Sequence, residues 1–385
     1  MIKLKRKDKN LVIPKTNKTK ESKIKKRQNF SKSKDELKVG FFSSIRSKLI
    51  GGFIIAIIPI LFLGTFSYNS AYNSIKKMAE QTSIETMKQI TTNIKNTIDT
   101  IGNVAFQLQM DNEIQEYVGF KPEDAGDEFD TGRYLQDTRN LVESYSFATD
   151  AIESISLFIE GGKTIETGTY YLKDPFETIK NTEIFKKASE LNKKSFWVGN
   201  HHEIDAIRQA DQKHNYAMSL VSLLSNLYDD SGSKGLVVID VRNQAIEDVL
   251  SSINLGDRSE IHLISPDGRD IAYHIQDNKS SILDTSDANN TVIDKDFYNG
   301  ILNGTYSESS FNATYKDEEF MIIHTSIGDT GYKLLGLAPT AIYSEMASDI
   351  FKVTVIVTII GIIIAVLVGM FFALNISNSI SRMVS

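Results

Sequence analysis

The chain of 385 residues has no cysteine, one tryptophan and six prolines. Without cysteine there is no disulfide, no thiol nucleophile and no cysteine-ligated metal. No GxSxG or HExxH pattern occurs, and no SxxK in a credible setting. Nucleophilic or metal-assisted catalysis therefore has no motif to rest on. The expectation is a protein that is not an enzyme, with no catalytic residue, no cofactor and no resident metal. Charge is also missing, from two runs: Leu49–Phe66 (LIGGFIIAIIPILFLGTF) and Val353–Leu374 (VTVIVTIIGIIIAVLVGMFFAL). Each is close to the ~20 residues a helix needs to cross a bilayer. Apolar chain in lipid must satisfy its own backbone hydrogen bonds, so both read as transmembrane helices.

Charge orients them. Residues 1–48 carry 17 Lys and Arg against four acidic residues, whereas residues 68–350 carry 24 against 45. Basic flanks stay in the cytoplasm. The expected topology is two spans in the cell membrane, with both termini cytoplasmic and the acidic segment 68–350 extracytoplasmic. The 48-residue leader is too long for an ordinary signal-peptide n-region, so the first span reads as an uncleaved anchor. The acidic body argues against nucleic acid. The basic tail reads as mostly disordered and facing membrane lipid. With no disulfide the ectodomain depends on core size, and its length is ample for one or two cores.

Beyond the first span, helix-forming sequence continues to about Met110. Ile84, Met87, Thr91, Ile94, Ile98, Ile101, Ala105 and Leu108 follow steps of three and four, a heptad seam. That seam faces either the body of the domain or a partner helix. The segment 121–127 reads as a loop broken by Pro122 and Gly126. Helix is expected over 131–146, strands over 154–159 and 163–171, helix over 176–191, then Trp197 and a polar loop. Strands near 216–224 and 236–241 and a helix over 245–253 complete the first unit. A second unit repeats the order: strand 260–264, a Ser-Pro-Asp-Gly turn at 265–268, strand 270–274, a polar loop over 276–290, helix 294–303 and strands 309–315, 319–325 and 332–338. Helix over 341–351 should run into the second span. The fold class is α+β with antiparallel sheets.

This layout resembles the double Cache sensor domains of bacterial transmembrane receptors over about residues 68–350. SKGLVVIDV at 233–241 resembles the strand that closes the membrane-distal sheet, and IHLISPDGRDI at 261–271 the hairpin that opens the membrane-proximal one. TGYKLLGLAP at 330–339 resembles the last strand before the exit helix, where the family usually has Trp in place of Tyr332. SIRSKLI at 44–50 is similar to methyl-accepting chemotaxis receptors, and NISNSISRM at 375–383 to the first turns of a HAMP linker. The resemblance implies a long helix (68–110), two PAS-like modules (distal 111–253, proximal 254–345), spans at 49–67 and 351–374, and a HAMP start at 375–385. It further implies a chemoreceptor that binds a small extracellular solute, works as a homodimer and passes its signal to cytoplasmic partners through an output module beyond Ser385. A sensor histidine kinase or a cyclic-dinucleotide enzyme would share this front end.

In that family a solute usually binds the distal module, between its sheet and a covering loop, against an aromatic residue and a strand Asp. Trp197 and Asp240 stand in comparable places, with His202, Tyr216 and Ser219 as further candidate ligand-binding residues. Tyr216 and Ser219 point either into the pocket or away from it, because strand side chains alternate. Where the amino-acid-sensing subset usually has an Arg two residues before the Trp, this chain has Ser195. No obvious cation then stands ready for a carboxylate. His201, His202, Glu203 and Asp205 are a possible divalent-metal cluster, but they lack metal-ligand spacing and read as a solvated loop.

Overall fold

A computed structural model describes residues 45–120, 128–167, 175–191, 194–208, 216–228 and 233–384. The expected disordered tail, the loop at 121–127 and part of the strand expected at 163–171 lie outside these residues. One compact unit, 57–364, holds both sheets. The other consists of 1–56 and 365–385, of which the helical ends are described.

Helix α1 (Ile45–Met110) runs 66 residues and takes Pro59 without ending. After it come α2 (Asn112–Gly119), α3 (Glu128–Ser146), β1 (Ile152–Ile159), β2 (Lys163–Glu166), α4 (Pro175–Ile179), α5 (Glu183–Leu191), β3 (Phe196–Val198), α6 (His202–Asp205), β4 (Met218–Ser225), β5 (Ser233–Val241) and α7 (Asn243–Ser251). The second module holds β6 (Glu260–Ile264), β7 (Asp270–Gln276), β8 (Lys279–Leu283), α8 (Asp296–Leu302), β9 (Ser310–Tyr315), β10 (Glu318–Ser326) and β11 (Lys333–Pro339), before α9 (Ala341–Val384). The distal sheet has the order β2-β1-β5-β4-β3 and the proximal sheet β8-β7-β6-β11-β10-β9. Every pairing is antiparallel.

The heptad seam is spent within the chain. Met87, Ile94, Ile98, Ile101, Ala105 and Leu108 are buried and join one core cluster with Ile155, Val237 and Ile239 of the distal sheet and Ile261, Leu263 and Leu334 of the proximal sheet. Thr91, the polar slot, returns its hydroxyl to the Met87 carbonyl at 2.8 Å. Each buried isoleucine is worth about 1.5–3 kcal/mol, so the stripe clamps α1 along both sheets. The opposite faces form separate cores, one beneath α4, α5 and α6, the other against α8.

The expected helix over 176–191 is two helices. Thr182 ends the first and caps the second, its Oγ1 accepting from Phe185 N at 3.3 Å, and the Glu203 carboxylate accepts from Glu183 N and Ile184 N. The polar loop expected over 276–290 begins with a strand, β8. Asp277 and Asn278 take φ of 51° and 57°, the paired left-handed residues of a two-residue hairpin. Among the described residues, one helix segment is long and apolar enough to cross a membrane by length and composition, Ala341–Phe372, with mean hydropathy 3.1. The first apolar run lies on α1, where Ile55, Ile58, Leu61, Phe62, Leu63 and Phe66 are all exposed.

Candidate functional site

Cross-strand register builds the distal site. Asp240 on β5 lies opposite Ser219 on β4 and Ser154 on β1, so all three side chains share the face that α4, α5 and α6 cover. Ser219 Oγ donates to Asp240 Oδ1 at 2.6 Å and Ser154 Oγ to Oδ2 at 2.9 Å. Arg208 Nη2 donates to Asp240 Oδ2, and Arg208 Nη1 to Asp205 Oδ1 at 3.3 Å. His201 Nε2 is 2.8 Å from Asp240 Oδ1. Its Nδ1 sits 3.2 Å from Asp205 Oδ1, close but not aligned as a hydrogen bond. Tyr216 OH donates to Asp205 Oδ2 at 2.8 Å and accepts from His201 N at 3.0 Å, and its ring stacks on His201 at 4.1 Å.

All of these groups are buried. Burial alone would raise the Asp240 carboxyl, but the His201 imidazolium, Arg208 and Ser219 outweigh it and hold it well below the usual carboxylate range. Asp205 is lowered too, burial being overcome by His201, Tyr216 and Arg208. For His201, burial favours the neutral ring, yet Asp240 and Asp205 prevail and raise it. Burial and the two carboxylates push the Tyr216 phenol far up, so it stays protonated. Two carboxylates, one guanidinium and one imidazolium balance to zero, the condition under which buried charge is tolerable.

The structure brings Tyr216, Ser219 and Asp240 together. It does not bring Trp197 to them. Trp197 pairs with Leu220, one residue out of phase with the Val198–Ser219–Asp240 row, and belongs to the core on the α1 side. The Trp197 side chain therefore lies in the α1-side core, on the opposite face of the sheet from Asp240. His202 is exposed on α6, while its neighbour His201 is wholly buried. The solvated-loop reading fails for His201 and Asp205, which are buried beneath the same cover. Sequence reasoning missed Arg208, although His201 and Asp205 are four apart and Asp205 and Arg208 three apart, spacings at which side chains meet across a turn. A cation is thus present, committed to Asp240 and Asp205. Among the described residues no group of His, Asp and Glu is arranged to hold a metal.

The proximal module carries a counterpart. His262, fully buried, has Nδ1 3.0 Å from Asp270 Oδ1 and Nε2 3.5 Å from Glu260 Oε2. Lys316 and Tyr315 donate to Glu260 at 2.6 and 3.0 Å, and Thr291 Oγ1 to Asp270 at 3.0 Å. Burial opposes the charge on His262, and the two carboxylates override it and raise its pKa.

A clasp joins the modules beside His201. Asp267, in the β6–β7 turn, accepts from Gly199 N at 2.5 Å and Asn200 N at 2.8 Å. Arg269 Nη1 donates to Gly199 O at 2.8 Å, and Tyr332 OH to Val198 O at 2.9 Å. A Cβ on Gly199 would collide with the Ser265 side chain and stand 2.8 Å from Arg269 Cβ, so only glycine fits. The Tyr216 ring has Arg208 and Arg269 over it at 5.4 and 5.5 Å.

No family model matches the chain, and no curated protein matches it. Solved structures do. The sensory domain of a Campylobacter jejuni chemoreceptor with isoleucine bound is 11% identical, with TM-score 0.46, over 71% of this chain and 98% of that one. The extracellular domain of a protein assigned as a histidine kinase is 15% identical, with TM-score 0.46, over 72% and 96%. A domain of a sensory box/GGDEF family protein from Vibrio parahaemolyticus is 15% identical, with TM-score 0.44, over 71% and 99%. Similarity at this level carries no ligand or activity across. The chain is similar to receptor sensor domains, the class its sequence resembles.

Proposed function

We propose that the chain is a transmembrane receptor of the chemotaxis kind, which binds a small extracellular solute in its distal module and converts it no further. Two membrane spans hold residues 68–350 outside the cell, the receptor works as a homodimer in lipid, and α9 leads into a HAMP linker that passes the signal to cytoplasmic partners. The observation that carries this reading is the covered face at Asp240, where Ser219, His201, Arg208 and Tyr216 converge beside the clasp. The clasp continues through the β6–β7 hairpin to β11, which pairs with β6 and leads directly into α9. A solute that favours one arrangement of Arg208 over another would shift the clasp by its difference in affinity for the two.

The test is a thermal-shift screen of the full chain in nanodiscs against amino acids, organic acids, amines and sugars. One class should give saturable stabilisation that Ser219→Ala and Arg208→Met abolish. Stabilisation by no class, or a hit unaffected by both substitutions, would remove the distal site. A sensor histidine kinase or a cyclic-dinucleotide enzyme with the same front end is the second reading. Phosphotransfer or nucleotide-cyclising activity regulated by the same solute would favour it.

A further inference from the structure

A cleft of about 600 Å³ lies where α7 of the distal module faces the β6–β7 turn, β7 and β8 of the proximal module. That is the size of a small-ligand pocket. Asp240, Ser219 and His201 are not among its lining residues; its distal wall is Ala217 with Asn243, Ile246 and Glu247 of α7, and Ile246 belongs to the core on the α1 side. Ile271, Ile282 and Ile293 supply further apolar wall.

Two polar groups in the lining, Tyr273 and Glu247, are uncommitted and at least partly buried. Tyr273 is 4% exposed as a residue, and its hydroxyl, which makes no hydrogen bond with any described residue, is not among the buried unpartnered atoms: it is accessible from the cleft and free to meet a ligand there. Glu247 is half-buried, stands close enough to Tyr273 to act on its titration, and forms no ion pair among the described residues. The other charged groups of the lining are engaged: Asp270 by His262, Thr291 and Val292 N, and Arg269 with Gly199 O.

We propose that this cleft is a second ligand site, which takes a small organic ammonium with an apolar body. The ammonium donates to the Glu247 carboxylate and the Tyr273 oxygen, and the apolar body lies against the isoleucines. Because residues 268–273 form one wall and include the clasp residue Arg269, an occupant bears directly on the junction of the two modules.

The test is isothermal titration of the full chain in zwitterionic nanodiscs with phenethylammonium, with 3-phenylpropionate as the counter-probe of equal size. One saturable site for the ammonium, at least tenfold tighter than for the carboxylate, is expected. Glu247→Gln should weaken it about tenfold, the loss of one charge-assisted hydrogen bond. Tyr273→Phe should weaken it about fivefold. Ile282→Lys, at a position 71% exposed, should abolish it without disturbing the fold. An unchanged unfolding midpoint in each variant certifies that it is folded. Equal binding of both probes, no saturable binding of the ammonium, or indifference to Glu247→Gln would overturn the proposal. So would a loss on Ser219→Ala as large as that on Glu247→Gln, which would seat the ammonium in the distal site and leave the receptor reading standing.

Discussion

Both modules bury a histidine between two carboxylates on the covered face of the sheet, and both add one further cation, yet the two clusters do different things. In the proximal module that cation is Lys316, one-third exposed at the tip of the β9–β10 hairpin, where it and Asp317 take φ of 49° and 62°. Asp270 there accepts from Thr291 and Val292 N, and Tyr315 also donates to Asn289 O at 3.2 Å, so the cluster staples the covering segment to the sheet. In the distal module the cation is Arg208, 2% exposed, and Asp240 accepts only from side chains among the contacts described. Nothing in that set anchors backbone to Asp240, and the cluster abuts the clasp to the other module. A side-chain cluster can exchange partners without unfolding a segment. The sheet carboxylate of the distal cluster is thus held by side chains, and that of the proximal cluster also by the backbone of its covering segment.

The sharpest contrast comes from removing one partner of each. Asp240→Ala leaves Arg208 and His201 to share Asp205 alone, one buried positive charge in excess, and should cost about 3–5 kcal/mol, read by chemical denaturation. A loss under 1 kcal/mol would mean that the distal charges are already solvated. Gly199→Ala should cost about 1–3 kcal/mol by overpacking against Ser265 and Arg269. It should also raise amide exchange in the 265–269 hairpin while leaving the Thr291–Asp270 staple protected. Equal loosening of both would erase the distinction between them.

Titration follows from the shifts. His201 and His262 are raised above 6.5, so their contribution is whole below that pH and is lost as pH rises through their folded values. Asp205, Asp240 and Glu260 are lowered from 3.8 and 4.5, so theirs is whole above those values and is lost as pH falls through the folded ones. Stability should peak between 4.5 and 6.5, with an alkaline limb that His201→Gln and His262→Gln each flatten. His324, which burial lowers, acts in the opposite sense and trims the acid side of that window. A midpoint that rises steadily from pH 6 to 9 would contradict this. The smallest effect is Lys316→Met, about 0.2–1 kcal/mol, because solvent screens its pair with Glu260. A cost near that of Asp240→Ala would make the two clusters equivalent.

Much of the fold was legible because its signals are local. The α1 seam, the alternating strands and the Ser-Pro-Asp-Gly turn are all written in adjacent residues. The hidden parts depend on distant ones. The face of Trp197 is settled by the three-residue pairing of β3 with β4, too short to show a period. The burial of His201, Asp205 and Arg208 follows from α6 docking on a sheet whose central strand lies some thirty residues later. No composition rule separates such a turn from a solvated one. β8 was obscured because Asp277 and Asn278 begin a polar run that is also hairpin chemistry.

The freedom from cysteine makes the central claim directly testable. A single cysteine at Phe147, 78% exposed in the body, and another at Lys32 in the basic tail are treated in intact cells with a membrane-impermeant maleimide. Labelling of Phe147→Cys with protection of Lys32→Cys until the cells are lysed is the predicted result. Protection of Phe147→Cys in intact cells would contradict an extracytoplasmic sensor, and the receptor reading with it.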